Sequence, residues 1–188
     1  KLAVKWFRKS ADQGVAYAQS NLGGMYDNGQ GVPKDYKLAV KWYRKSAKQG
    51  YAKAQNNLGA IYSVQGKLDE ARACFEDAIE ANPGFVSPHY NLSSLKTYDK
   101  GDAHLEQLEE IVLRADATQS LDARIRLSFA LGKAREDVGN YDAAFVAYEN
   151  GNRLQHNRFL VDEKKADAQL AKIVGVFDRS FFEARTKP

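Results

Sequence analysis

Apolar positions recur every three or four residues along most of the chain, and short turn-forming clusters interrupt them at about one helix length. The clearest unit runs from Ala52 to Phe85. Its first half places Leu58, Tyr62 and the small Gly59 on one side; its second half places Leu68, Ala71, Phe75, Ala78 and Ile79 on one side, the spacing of an amphipathic helix. Gly66 punctuates the turn between the halves, and Asn82-Pro83-Gly84 stops the second. Small residues at Gly59, Ala71 and Ala78 allow the two helices to approach closely, with Tyr62 and Phe75 filling the gaps beside them. The pattern predicts a helix-turn-helix unit.

The chain repeats itself. Residues 1–26 and 37–62 align at a period of 36 with 19 of 26 positions identical, KLAVKWFRKSADQG returning as KLAVKWYRKSAKQG and AYAQSNLGGMY as AKAQNNLGAIY. Two helices per unit at this period predict an α-solenoid. The linker from Asp27 to Tyr36 is longer than the turn at Gly66, and its Pro33 suits the approach to a helix start. Beyond Phe85 the regularity weakens. Pro88–Tyr98 reads as a first helix and His104–Ala115 as its partner, followed by a polar interruption from Asp116 to Ser120. Ala123–Leu154 forms a stronger unit, in which Leu131, Gly132, Gly139, Ala144 and Tyr148 hold the spacing of Leu58, Gly59, Gly66, Ala71 and Phe75. Phe159–Arg185 reads as one further helix that covers the end of the array. Its cluster Phe177, Phe181 and Phe182 is more apolar than a free end tolerates, which marks a C-terminal interface, either with the last repeat or with another domain.

Composition changes this picture little. Hydrophobic residues make up 44% and charged residues 28% of the 188, ordinary values for a soluble domain, and no apolar run is long enough to cross a bilayer. Lys1 already lies inside a helical pattern, so a segment is expected to precede it. Cys74, the single cysteine, excludes an intrachain disulfide, reads as a small core residue and fits a cytoplasmic setting. Charge is uneven: residues 1–62 hold 11 Lys/Arg against 3 Asp/Glu. Lys5, Arg8 and Lys9 return as Lys41, Arg44 and Lys45, which reads as the solvated outer face of each second helix. Trp6 and Trp42 read as inter-repeat core. Nucleic-acid binding would require the basic side chains to gather in one groove.

The Leu58-Gly59, Tyr62, Gly66, Ala71, Phe75, Ala78 and Pro83 series resembles the tetratricopeptide repeat. The series Ala18, Gln19, Leu22, Gly23, Tyr26, Gly29, Gly31, Val32, Asp35, Ala39, Trp42, Tyr43 and Gly50 resembles the related Sel1-like repeat. These resemblances imply an all-α, right-handed superhelical solenoid of about ten helices. They divide it into Sel1-like repeats (1–51), a tetratricopeptide repeat (52–85), a divergent repeat (86–118), a tetratricopeptide-like repeat (119–156) and a C-terminal capping helix (157–188). In such arrays the first helices line a concave groove that binds protein. The groove positions would be Tyr17, Ser20, Asn21, Lys53, Asn56, Asn57, Tyr90, Asn91, Ser94, Arg126 and Lys133, with Asn21, Asn57 and Asn91 forming a ladder able to grip the backbone of an extended peptide. The alternative is that these amides bond neighbouring helix ends. A full clamp for a C-terminal carboxylate is not expected, because Ser20 and Asn56 stand where the first clamp helix needs lysine.

Leu127–Leu154 also resembles the segment that precedes the catalytic domain of bacterial sulfotransferases carrying tetratricopeptide repeats, through Phe129–Ala134, Glu136-Asp137, Gly139, Tyr141-Asp142, Ala144-Phe145, Tyr148 and Gly151-Asn152. That resemblance implies an accessory array that positions a substrate beside an adjoining sulfotransferase domain. The family's phosphate-holding loop has no counterpart here, so no catalytic residue transfers. Nor do the residues suggest chemistry of their own. His89, His104 and His156 do not stand at metal-ligand spacing, and the paired acids Glu109-Glu110 and Glu136-Asp137 point about 100° apart on their helices. Ser93 and Ser94 have no nucleophile turn. The expectation is a non-catalytic scaffold without metal or cofactor.

Overall fold

A computed structural model describes residues 2–114 and 119–176, and all of its regular structure there is helical. The helices are α1 (Leu2–Asp12), α2 (Ala16–Asn28), α3 (Tyr36–Ala47), α4 (Ala52–Val64), α5 (Leu68–Ala81), α6 (Val86–Ser93), α7 (Ala103–Arg114), α8 (Leu121–Asp137) and α9 (Tyr141–Val176). From α1 to α6 each helix packs against the next in the chain. From there α8 becomes the hub and takes α6, α7 and α9. This is an α-helical repeat solenoid, as the periodicity requires.

One local device recurs three times. A glycine in a first helix lies against an aromatic ring of the following helix: Gly23 on Tyr43, Gly59 on Phe75 and Gly132 on Tyr148. A Cβ at these positions would fall 2.8, 2.7 and 2.6 Å from the rings, well inside carbon–carbon contact distance. The Leu-Gly pair read from the sequence thus sets how closely the helices approach. Gly66 and Gly139, seven residues beyond Gly59 and Gly132, take φ of 73° and 79°, left-handed values that only glycine adopts without strain. A second recurrent contact ties each second helix to the first helix that follows it: Arg8 donates to the Tyr26 hydroxyl at 2.6 Å and Arg44 to the Tyr62 hydroxyl at 2.7 Å.

Two apolar clusters result. One joins Val4, Leu22, Trp42, Tyr43, Leu58, Phe75 and Leu92; the other gathers Val86, Tyr98, Leu108, Leu127 and Leu131 around α8. Between them lies a buried polar chain absent from the sequence reading. His89 Nε2 donates to the Pro83 carbonyl (2.8 Å), His89 Nδ1 faces His104 Nε2 (3.0 Å), and the Tyr98 hydroxyl donates to His104 Nδ1 (2.8 Å). The two imidazoles stack within 11° of parallel. Read in one direction, every donor meets an acceptor with both histidines neutral. Burial lowers the pKa of both, and His104, which also feels His89 and Lys96, is brought down to about 3.

Four expectations need correction. Of the two tryptophans expected in the inter-repeat core, Trp42 is 8% exposed and Trp6, close to the first described residue, is 61% exposed. Leu68, expected inside, is half exposed. The helix expected over Pro88–Tyr98 stops at Ser93, and Tyr98 is buried in the connector, its N–H bonded to Asp137. The break expected near residue 157 does not occur, because α9 runs unbroken from Tyr141 to Val176. Gly151 lies within it as a packing residue rather than a stop: a Cβ there would meet Ser128 and Phe129 at 3.2 and 3.3 Å. Phe177, Phe181 and Phe182 lie outside the described residues.

Candidate functional site

From α1 to α6, charge separates the first helices from the second. Across α2, α4 and α6 the formally charged side chains are Asp27 and Lys53, whereas α1 and α3 present Lys5, Arg8, Lys9, Lys41, Arg44 and Lys45, all exposed. The condition set for nucleic-acid binding, basic residues gathered in the groove, is not met.

A depression lies along α2 and α4. Its larger part, about 570 Å³, is lined by Asp27, Tyr36, Tyr43, Asn57, Ile61 and Val64 among others. A smaller part, about 210 Å³, is lined by Ser20, Asn21, Gly24, Met25, Lys53 and Asn57. The two share Asn28, Tyr43 and Asn57. Tyr43 reaches this wall from α3 because Gly23 and Gly24 leave room: the ring lies against Gly23, and the position of a Cβ on Gly24 is 3.3 Å from the hydroxyl. Burial, with Asp27 adding, pushes the hydroxyl up to about 12, so it stays protonated and able to donate. Val64, 91% exposed, and half-exposed Tyr36 give the cleft an apolar lip.

The expected groove residues fall into two groups. Ser20, Asn21, Lys53 and Asn57 meet at the smaller depression. Tyr90 and Arg126 meet further along, the guanidinium 5.7 Å above the ring. The asparagines already have partners: Asn21 donates to the Tyr17 carbonyl (2.8 Å), and Asn91 donates to Asn56 (3.0 Å), which reaches Asn57 at 3.4 Å. Asn56 is itself buried. Tyr17 stacks edge-on against Tyr51. Ser94 bonds back to the Asn91 carbonyl. Lys133 is held by Asp137 and by the Lys96 carbonyl, an internal junction between α8 and the connector after α6. Tyr43, Tyr36, Asp27, Ile61 and Val64 were not foreseen as lining residues. The Gly23-Gly24 pair was the available signal, since two adjacent missing side chains open a path for a ring.

Among the described residues no group of three or more His, Cys, Asp or Glu side chains converges as a metal site, and no helix is long and apolar enough to cross a membrane. Cys74 is half buried, and burial raises its thiol to about 11, which leaves it unreactive.

Comparison with known proteins agrees with this architecture. Residues 1–15 and 16–51 match the Sel1 repeat, and residues 52–85 match the tetratricopeptide repeat. No curated protein sequence gives a significant match. Among solved structures, a Sel1 repeat protein from Oxalobacter formigenes is similar with a TM-score of 0.59 and 26% identity, over 81% of this chain and 64% of that one. The protective antigen c5321 of uropathogenic Escherichia coli, which has an SLR fold, is similar with a TM-score of 0.61 and 26% identity, over 96% of this chain and 40% of that one. MamA shares the fold at 18% identity and a TM-score of 0.56. This chain therefore spans less than two thirds of the length of the first two. Repeats of these kinds generally serve as scaffolds for protein interaction. The chain is an all-α repeat solenoid whose residues 1–85 match Sel1 and tetratricopeptide repeats.

Proposed function

We propose that this protein is a non-catalytic scaffold that holds an extended peptide along α2, α4 and α6. The observation that supports this reading is the depression along α2 and α4, nearly free of formal charge yet lined by amides and tyrosine hydroxyls. Asn57 stands where the two parts meet and offers a donor and an acceptor to a passing backbone. The apolar lip of Ile61, Val64 and Tyr36 suits one uncharged side chain of the ligand. Selection from a displayed random peptide library tests this. Recovered peptides should share an apolar anchor, bind with weak salt dependence, and lose affinity to Asn57→Ala and Val64→Glu. Peptides that bind both variants as well as the parent would refute the groove as the site.

A second reading makes the array an accessory to a sulfotransferase domain on the same polypeptide. It is supported by the resemblance of Leu127–Leu154 alone, and the sequence encoded beside this segment tests it.

A further inference from the structure

One polar link is made in one repeat and not in the next. In the first, Gln49 Nε2 donates to Gln19 Oε1 at 2.8 Å and to the Gly14 carbonyl at 2.9 Å. An offset of 36 carries Gln19 to Gln55 and Gly14 to Gly50, so both acceptors recur. The donor does not. Tyr43 and Phe75 hold the same place against Gly23 and Gly59, and counting on equally from each brings Gln49 to Ala81. Gln55 is 7% exposed, and its Oε1 has no hydrogen-bond partner among the described residues. Buried side-chain oxygens are rarely left so, because desolvation without a bond is costly.

Gly50 and Ala81, the counterparts of Gly14 and Gln49, both line a cavity of about 310 Å³ between the start of α4 and the end of α5. Tyr51 and Phe85 give it apolar walls. Lys53 lines it as well, and also lines the smaller part of the depression along α2 and α4.

The acceptor pair selects the ligand. Two oxygens repel a carboxylate, and Lys53 on the same wall disfavours a second cation. A primary carboxamide is neutral and carries two N–H donors on one nitrogen, which is how Gln49 serves both oxygens in the preceding repeat. Tyr51 and Phe85 suit the methylene stem of such a side chain.

We propose that this cavity is a subsite for the carboxamide of a glutamine side chain on the bound peptide, seated where Gln49 stands one repeat earlier. That the glutamine belongs to a peptide rests on the groove reading above.

The probe is N-acetylglutamine N-methylamide, titrated into the isotope-labelled chain while backbone amide resonances are followed by NMR. The expected result is saturable shifts at Gly50, Tyr51, Lys53 and Phe85, with Gly14 and Val15 unmoved because Gln49 already serves the matching oxygens. The corresponding glutamate and methionine probes lack the two side-chain donors and should bind about tenfold more weakly. Ala81→Gln should abolish the shifts by supplying the amide from the chain itself. Gln49→Ala should do the reverse and create glutamine-dependent shifts at Gly14. Equal binding of the three probes, shifts that survive Ala81→Gln, or no shift at the probe's solubility limit would overturn the inference. The groove reading fails separately, through selected peptides that are indifferent to Asn57→Ala.

Discussion

Replacing Gly59 by alanine isolates the contact that sets the helix spacing. Helix propensity alone favours the change by about 1 kcal/mol, since Gly59 lies inside α4. Packing opposes it. The new Cβ would fall 2.7 and 2.9 Å from two carbons of the Phe75 ring and 3.1 Å from the Ala71 carbonyl oxygen. Phe75 is 1% exposed, so its ring has no room to swing, and the carbonyl belongs to the helix backbone. Restoring contact distance therefore requires α4 and α5 to separate by most of an ångström. Overpacking of this kind costs about 1–3 kcal/mol, and the backbone contact places it in the upper part of that range. The net expectation is a destabilisation of about 1–2 kcal/mol. Urea unfolding followed by circular dichroism and by Trp42 fluorescence measures it, because Trp42 belongs to the same apolar cluster as Phe75. Gly132→Ala supplies the internal comparison. Its clash with Tyr148 is nominally closer at 2.6 Å, but Tyr148 is only half buried and its ring can yield. The loss at Gly132 should be the smaller. If Gly59→Ala stabilises the protein by the full helix-propensity increment, the steric account is refuted.

Acid should weaken the protein through the buried histidines. Both fold with pKa values below the unfolded value of about 6.5, so their stabilisation is complete above that pH and declines as pH falls toward the folded value. For His104, at about 3, the loss is about 1.4 kcal/mol per pH unit across that window; His104→Gln should reduce the pH slope of urea stability by about one proton, and an unchanged slope would exclude the mechanism. Ala81→Gln is expected to stabilise by about 1 kcal/mol. Gln55 Oε1 is buried without a partner, and Ala81 occupies, by the Gly–aromatic register, the place from which Gln49 donates to Gln19; no gain in the urea midpoint would contradict the assignment. Lys133→Met should lower stability by removing the link to Asp137 and the Lys96 carbonyl while leaving peptide affinity intact, and lost affinity without lost stability would return Lys133 to the groove.

The sequence carried the array because its signals are local. The spacing from Gly59 to Phe75 and from Gly132 to Tyr148 lies within one unit, and the same contacts form in space. It did not carry the joint between the two clusters. His89 and His104 are 15 residues apart on different helices, and their meeting depends on the connector that buries Tyr98. The groove was legible only in part. The resemblance to the repeat families implies which positions of a first helix face the groove, and Asn21, Lys53 and Asn57, among those positions, line the depression. It does not show that Tyr43 crosses from α3 beside two glycines, nor that Lys133 turns inward to Asp137.

The unbroken course of α9 has a further consequence. From Phe159 to Ala168 every residue is exposed, and the ion pair of Arg158 with Asp122 of α8 stands just before that stretch. A free helix of such length would be marginal, because its first turn fixes several residues for a single hydrogen bond. Here the packed stem from Tyr141 to Arg158 has already supplied the nucleus. From Phe159 to Ala168 the helix is extended by propagation, one residue at a time, and each step is nearly balanced. Its length therefore responds to temperature and to single substitutions, whereas the array that launches it does not. A proline at Glu163 would end the projection and leave the repeats at their full stability.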